Sequence, residues 1–100
     1  MSRLFITPLA EQDLQDILEY IAQHRPQTAR KWYEVLREKC AFLAQHPELG
    51  EHRPELADAI RSFSVNRWVI FYRLTGDVVE IHRILDGSRD VRSQIDRVEK

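Results

Sequence analysis

Arginine dominates the cations of this chain, and its guanidinium is the group best suited to recognition chemistry. Twelve of the 15 Lys and Arg residues are arginine, and the stretch from Arg61 to Arg97 holds seven arginines and no lysine. A guanidinium presents a planar fork of donors that suits carboxylates, phosphates and aromatic faces, whereas lysine offers a hydrated point charge. The bias indicates a recognition surface. Surface salt bridging or compositional drift would produce the same excess.

Other reactive residue types do not fall into a recognisable motif. His46 and His52 flank a predicted turn without a second ligand pair at zinc spacing, and Cys40 lies on a predicted buried stripe. Glycine-rich phosphate loops and a Ser/His/Asp arrangement are absent as motifs. We therefore expect no metal and no cofactor.

Length and composition are typical of a single soluble domain, here residues 1–100. A chain with 43% hydrophobic and 31% charged residues can form one core without disulfides. One cysteine fits a reducing cytoplasm. No apolar run approaches the roughly 18 residues that span a bilayer, and the N-terminus lacks a secretory signal.

The net charge of the chain bears on nucleic-acid binding. A value of −1 argues against coating nucleic acid by bulk charge. We expect a cytoplasmic protein without sequence-specific DNA binding.

Apolar residues at helical spacing predict two helices that form an antiparallel hairpin. A β-prone run at 3–7 predicts a first strand, after which Thr7 and Pro8 supply a cap and a suitable first helical residue. The second helix is predicted from Pro26 to about Gln45. The first apolar stripe is Leu14, Ile17, Leu18 and Ile21, the acids Glu11, Asp13, Asp16 and Glu19 are predicted on other faces, and the second stripe is Ala29, Tyr33, Leu36, Cys40 and Leu43.

From Ala59 the period changes to two, which predicts strands at Ile60–Val65, Trp68–Leu74 and Val78–Leu85. A turn at Gly76-Asp77 places Arg73 opposite Glu80, a favourable pair of opposite charges. Strict alternation divides these residues between two faces. The face predicted to be covered by the helices holds Trp68, Ile70, Tyr72, Leu74, Val79, Ile81, Arg83 and Leu85. The other face is mixed and is predicted to be an open binding face; it holds Val69, Phe71, Arg73, Val78, Glu80, His82 and Ile84. The order β-α-α-β-β-β predicts a two-layer α+β fold.

The tail after β5 has a helical pattern of its own. Val91, Ile95 and Val98 predict one or two helical turns, which would need to dock on the rest of the protein to be stable.

Read in order, several short motifs resemble a known family. The helices carry Ala10-x-x-Asp13-Leu14-x-x-Ile17-x-x-Tyr20-Ile21 and Leu43-x-x-His46-Pro47-x-x-Gly50. The strands carry Arg61-Ser62-Phe63-x-Val65, Val69-Ile70-Phe71-Tyr72-Arg73 and Val79-Glu80-Ile81-x-Arg83-Ile84-Leu85-x-Gly87-x-Arg89-Asp90. The ordered set resembles the RelE/ParE superfamily of toxins from bacterial type II toxin–antitoxin systems, and most resembles its ParE branch.

This resemblance implies a fold, a partner and a target. The implied fold is a helical hairpin packed on a small, mainly antiparallel sheet with a C-terminal tail. The implied partner is a cognate antitoxin, ParD-like or a similar small DNA-binding protein, whose C-terminal segment folds along the toxin. In the family the ParE branch poisons DNA gyrase and the RelE branch cuts messenger RNA on the ribosome. DNA gyrase is therefore the expected target, and growth arrest the expected effect.

The residues bear on the choice between binding and cleavage. Attack by a 2′-hydroxyl needs a proton acceptor, a proton donor for the leaving oxygen and cations for the phosphate. A guanidinium stays protonated and makes a poor general base, and His82 is the one histidine of the sheet region suited to proton exchange. Arginines without an acid–base pair favour binding. A ribosome-dependent endoribonuclease using Arg61, Arg83 and His82 is the alternative, and a degenerate toxin that only binds its antitoxin is a third.

The candidate site residues follow from these expectations. The target-binding candidates are Arg61, Arg73, Arg83 and Arg89, and the antitoxin-binding candidates are Trp32, Trp68, Phe71 and Arg73. Several have a structural alternative: Arg73 pairs with Glu80, Arg83 packs its stem at the end of the sheet with its head in water, Arg89 pairs with Asp90 to dock the tail, and the tryptophans belong to the core. Arg61 has no obvious acidic partner nearby, which favours function there.

Overall fold

In the computed structural model, which describes residues 2–88, two helices cover one face of a five-stranded sheet. Helices α1 (Pro8–Ala22) and α2 (Pro26–Gln45) form the hairpin, and a 3₁₀ turn follows at Pro47–Leu49. The strands are β1 (Arg3–Ile6), β2 (Glu51–His52), β3 (Arg61–Val65), β4 (Trp68–Thr75) and β5 (Val78–Asp86). Their order is β1-β5-β4-β3-β2, with β1 parallel to β5 and the other neighbours antiparallel. The predicted α+β architecture is confirmed, with the two-residue strand β2 added to it.

Both helices begin where the sequence predicts. The Thr7 hydroxyl accepts a hydrogen bond from the amide of Ala10 at 3.1 Å, and Pro8 occupies the first helical position. Helix α2 runs over the predicted range, and Cys40 lies fully buried on its inner face. Burial raises the pKa of the Cys40 thiol to about 12, so this cysteine is inert in the folded protein. No helix among residues 2–88 is long and apolar enough to cross a membrane.

The 3₁₀ turn is fastened to the sheet by Tyr72. Its hydroxyl accepts from the amide of Gly50 at 2.7 Å and donates to the carbonyl of Pro47 at 2.8 Å. A Cβ atom at Gly50 would overlap the Tyr72 ring and hydroxyl, so only glycine fits. Burial of the ring is the main cause that raises the pKa of Tyr72. The Pro47-x-x-Gly50 motif thus has a local structural reason.

The β4–β5 hairpin keeps its predicted register only near its turn. Gly76 adopts a left-handed backbone (φ 61°), and Arg73 lies opposite Glu80 as predicted. Further along, the register shifts between Phe71 and Tyr72, so that Phe71 lies opposite Arg83 rather than His82. His82 is therefore the extra residue of a β-bulge, and the alternation of β5 inverts beyond it.

This bulge makes part of the predicted face assignment wrong. Ile84 packs in the core beneath the helices, whereas Leu85 packs with Phe71 and Ile60 on the outer face, the reverse of strict alternation. The outer face is also less open than predicted. Leu56 and Ala57, from the segment between β2 and β3, pack against this second cluster.

Candidate functional site

The candidate arginines are spread over different parts of the fold. Arg61 lies on β3 opposite Tyr72, and Arg73 follows Tyr72 along β4, so the alternation of side chains puts the two arginines on opposite faces of the sheet. Arg83 lies on β5 just beyond the bulge. Arg89 falls outside the described residues, as do Val91, Ile95 and Val98 of the predicted tail. The described arginines therefore do not converge on one point.

Arg61 binds the turn that precedes β2. Its Nη1 donates to the carbonyl of Gly50 at 2.8 Å and, more weakly, to that of Glu48 at 3.4 Å. These carbonyls follow the 3₁₀ turn that Tyr72 also fastens. The guanidinium stays half-exposed, and within residues 2–88 its hydrogen-bond partners are backbone carbonyls rather than a carboxylate.

Arg73 and Glu80 form the predicted cross-strand pair near the turn. Arg73 Nε donates to Glu80 Oε1 at 2.8 Å, and the side chains are 37% and 26% exposed. Among the described candidate arginines, Arg73 thus has a carboxylate partner and still faces solvent. An exposed pair of this kind is worth little to stability, so its arginine can be recruited by a partner at small cost.

Arg83 is held by an aspartate 70 residues away in the chain. Its Nε and Nη2 donate to the two carboxylate oxygens of Asp13 on α1 at 2.7 and 2.9 Å. Asp13 Oδ2 also accepts from the backbone amide of Ile84 at 2.9 Å. The two side chains are only 14% and 10% exposed, and the hydrogen bond to Asp13 is the main cause that raises the pKa of Arg83. The alternative with the Arg83 head in water is therefore wrong.

Sequence reasoning also misplaced Asp13, which the prediction put on an outer face of α1. It is 9% exposed and lies on the buried face with Ala10, Leu14 and Ile17. Its spacing from those residues, three after Ala10 and four before Ile17, is the signal that could have revealed this. An acid inside an apolar stripe needs a buried partner. What the sequence did not show is which of the arginines supplies it.

A second polar cluster closes the far end of β5, where the strand leaves the sheet. Asp86 accepts from the amide and hydroxyl of Ser88 at 2.9 and 2.7 Å, and from Arg67. The Arg67 guanidinium lies 4.9 Å from the centre of the Trp68 ring. The amide of Ser88, followed by Arg67, lowers the pKa of Asp86 to about 2. Sequence reasoning missed Arg67 and Asp86.

The remaining candidates lie in the core or at its border. Phe71 and Trp68 are buried, at 1% and 6% exposure, and Trp32 is partly buried against the main core. His82 is half-buried in the bulge, where its carbonyl accepts from the Thr7 hydroxyl at 3.0 Å. Within residues 2–88, no group of three His, Cys, Asp or Glu side chains is placed to hold a metal ion.

Comparison with known proteins identifies the fold and the family. The family model described as the ParE toxin of the type II toxin-antitoxin system, parDE, matches residues 4–91. The chain is 43% identical over 53 residues to Toxin ParE3 of Caulobacter vibrioides, and the match spans 53% of each protein, about half the length of that relative. A solved structure of the chromosomal ParDE TA system from P. aeruginosa matches with a TM-score of 0.76 and 25% identity, over 86% of this chain and 96% of the other.

Proposed function

Because the chain belongs to the ParE toxin family of type II toxin–antitoxin systems, we propose that it stops growth by binding DNA gyrase and that a cognate, ParD-like antitoxin neutralises it. Family membership supports the toxin role. The engagement of the candidate arginines supports binding rather than catalysis.

The Asp13–Arg83 pair is the observation that carries the preference for binding. An RNA-cleaving site would need Arg83 to clamp a phosphate, but two of its donors are engaged by a carboxylate that would repel one. Arg61 is directed to backbone carbonyls on the other side of β4.

We assign the target contacts to the arginine-bearing strands and the tail, through Arg61, Arg73, Arg83 and Arg89. Arg73 contributes through its exposed head, since its pairing with Glu80 is solvent-facing. Arg83 contributes chiefly by fixing α1 against β5. A gyrase surface with acidic side chains could recruit such guanidinium groups in bidentate pairs.

The antitoxin contacts we assign to Trp32, Trp68, Phe71 and Arg73. Arg73 and the exposed edge of Trp32 would meet the antitoxin directly. Phe71 and Trp68 lie beneath the surface and would shape it. The shared use of Arg73 explains neutralisation, because one acidic antitoxin segment would then cover a guanidinium that the target needs.

A gyrase supercoiling assay with purified protein tests the target. Micromolar protein should inhibit supercoiling and leave gyrase-dependent DNA breaks, and Arg73→Ala should weaken the inhibition about tenfold. Arg3→Ala is the matched control, because it removes another arginine that pairs with an acid near the hairpin turn. Arg3 is 77% exposed and is not one of the target-binding candidates. Unchanged supercoiling alongside new cleavage sites in a toeprinting assay would establish the nuclease instead. Unchanged growth on expression without antitoxin would indicate a degenerate toxin.

A further inference from the structure

One edge of the sheet is formed by β1, and the proposed function does not account for it. In the strand order β1-β5-β4-β3-β2, β1 pairs with β5 on one side only. The amide of Arg3 donates to the carbonyl of Asp77 at 2.7 Å. Four residues on, the amide of Thr7 donates to the carbonyl of Ile81 at 3.1 Å. Every second peptide group of β1 is therefore directed toward β5, and the alternate ones are directed to the open side.

The open side of β1 carries backbone groups that need partners. By the same alternation it presents the amides and carbonyls of Leu4 and Ile6, which are two donors and two acceptors. Residues 2–88 supply no hydrogen-bond partner to these four groups. Such a row of unpaired groups on an edge strand is a template for the addition of another strand.

The side chains of this edge are apolar and partly exposed. Phe5 is 49% exposed and Leu4 is 39% exposed. Ile6 packs against the main core beneath the helices, so alternation puts Leu4 on the same face and Phe5 on the outer face. Pairing with another strand would bury apolar surface on both faces of the sheet.

We propose that β1 pairs in the antiparallel direction with β1 of a second copy of the chain, around a two-fold axis at Phe5. In this register Leu4 of each copy lies opposite Ile6 of the other. Each of these two pairs exchanges both of its hydrogen bonds, so the dimer uses all four open backbone groups of each copy. The two Phe5 residues form the central pair without hydrogen bonds, whose Cα atoms lie about 4.5 Å apart.

The sequence of the edge favours a second copy as its occupant. Leu4, Phe5 and Ile6 read apolar, aromatic, apolar in both directions, so two-fold pairing places apolar side chains against apolar ones. Arg3 is the charged residue of β1, and the same register places it opposite Thr7 of the other copy. The pairing therefore sets no like charges opposite each other.

The interface is short, which predicts a reversible dimer. Pro8 lacks an amide and begins α1, so the paired segment ends before it. Three residues from each copy bury much less than the roughly 800 Å² per partner of a standard stable interface. We therefore expect monomer and dimer to exchange between micromolar and millimolar concentration.

The dimer would present two copies of Arg73 on one face. Phe5 lies opposite Glu80, and Glu80 lies opposite Arg73, so these three side chains form a row across the outer face. The two-fold axis continues the row into the second copy. Five strand spacings then separate the Arg73 positions, about 24 Å at about 4.8 Å per spacing. This consequence rests on the proposed recognition role of Arg73, whereas the pairing itself does not.

Sedimentation velocity of the full chain, from micromolar to millimolar concentration, tests the dimer. The mass should rise from one chain to two. Phe5→Lys should raise the dissociation constant of the dimer at least about tenfold, because two like charges replace an aromatic pair directly opposite each other. Leu49→Lys is the matched control, since Leu49 is also 49% exposed but lies in the 3₁₀ turn.

The control variant should dimerise like the native chain, and circular dichroism checks that both variants are folded. A native chain that stays monomeric at every concentration would overturn the proposal. Equal dissociation constants for the native chain and Phe5→Lys would overturn it as well.

Hydrogen exchange in the native chain tests the register without a substitution. Raising the concentration should slow exchange at the amides of Leu4 and Ile6, whereas the Phe5 amide, which faces β5, serves as the internal control. A mixture of labelled and unlabelled chains should show a nuclear Overhauser contact between the α-protons of the two Phe5 residues.

The exchange measurement also distinguishes the other occupant of the edge. Protection of Leu4 and Ile6 that requires a ParD-like antitoxin, and does not depend on the concentration of the chain alone, would assign the edge to the antitoxin and overturn self-pairing. Neither experiment contains gyrase, so a failure of the proposed target leaves the dimer to be judged separately.

Discussion

The two ends of the β4–β5 hairpin are stabilised in different ways. At the turn end, Arg73 pairs with Glu80 directly across the strands, seven residues away, and both side chains face water. At the exit end, beyond the bulge at His82, Arg83 pairs with Asp13 of α1, 70 residues away, and both side chains are largely buried. The Arg67–Asp86 pair of the same end spans 19 residues.

The turn end can exchange its ion-pair partner, whereas the exit end is fixed. A solvent-exposed cross-strand pair contributes little and can be exchanged for a partner's side chain. A buried bidentate pair becomes costly once either member is lost, because the other is left as an uncompensated charge. The arginine suited to recognition is therefore the exposed Arg73, and the buried Arg83 serves the architecture that presents it.

Removal of the Asp13 carboxylate should give the largest effect on stability. Asp13→Ala leaves the Arg83 guanidinium and the Ile84 amide without their acceptor, and we expect the free energy of unfolding to fall by about 3 to 5 kcal/mol. Urea denaturation followed by circular dichroism measures this. Replacing both partners, with Asp13→Leu and Arg83→Met together, should cost less than Asp13→Ala alone. A cost below 1 kcal/mol for Asp13→Ala would remove the distinction between the two ends.

The Asp86 cluster should give the exit end a dependence on acid. Because the pKa of Asp86 falls from 3.8 in the unfolded chain to about 2 in the folded protein, its contribution is fully present above pH 4. It is lost as the pH falls through about 2, because between the two pKa values the unfolded state binds more protons than the folded state. The free energy of unfolding should therefore fall more between pH 4 and pH 2 in the native chain than in Asp86→Asn.

An NMR titration of the Asp86 carboxyl carbon checks this directly. The midpoint should lie near pH 2, and Ser88→Ala should raise it, because the variant loses one donor and keeps the backbone amide. A midpoint at the ordinary aspartate value would contradict the cluster. The cluster would also be contradicted if the free energy of unfolding fell equally between pH 4 and pH 2 in the native chain and in Asp86→Asn.

The turn end should give the smallest effect. In a double-mutant cycle of Arg73→Ala and Glu80→Ala, we expect a coupling energy of about 0.5 kcal/mol, the range of exposed cross-strand and surface ion pairs. Chemical denaturation of the four proteins of the cycle measures the coupling. A coupling above 1.5 kcal/mol would mean that Arg73 is as fixed as Arg83, and that recruiting it would be expensive.

Local sequence signals predicted the helices and the register near the hairpin turn. Thr7, Pro8 and Pro26 act within one helical turn, so the helix starts were predictable, and the helical apolar spacing of α2 runs to its observed end at Gln45. The Gly76-Asp77 turn likewise determined the register of its nearest residue pairs. The family resemblance read from the ordered motifs is confirmed by the match over residues 4–91.

The failures share a physical origin in contacts distant along the chain. The bulge at His82 adds one residue to β5, and no turn residue or proline near it signals the change of face. The covering of Phe71 by the segment before β3 depends on how a loop folds back over the sheet. Two-residue β2 is too short to show a period.

The sequence by itself determined the elements, their order and the family, because caps, turns and periodic apolar residues act over a few neighbouring positions. Only the tertiary structure decided which arginine is buried and which stays exposed. Twelve arginines are chemically alike in the sequence. Asp13 meets Arg83, and Arg73 stays exposed, because helix packing and a one-residue bulge determine what each side chain faces.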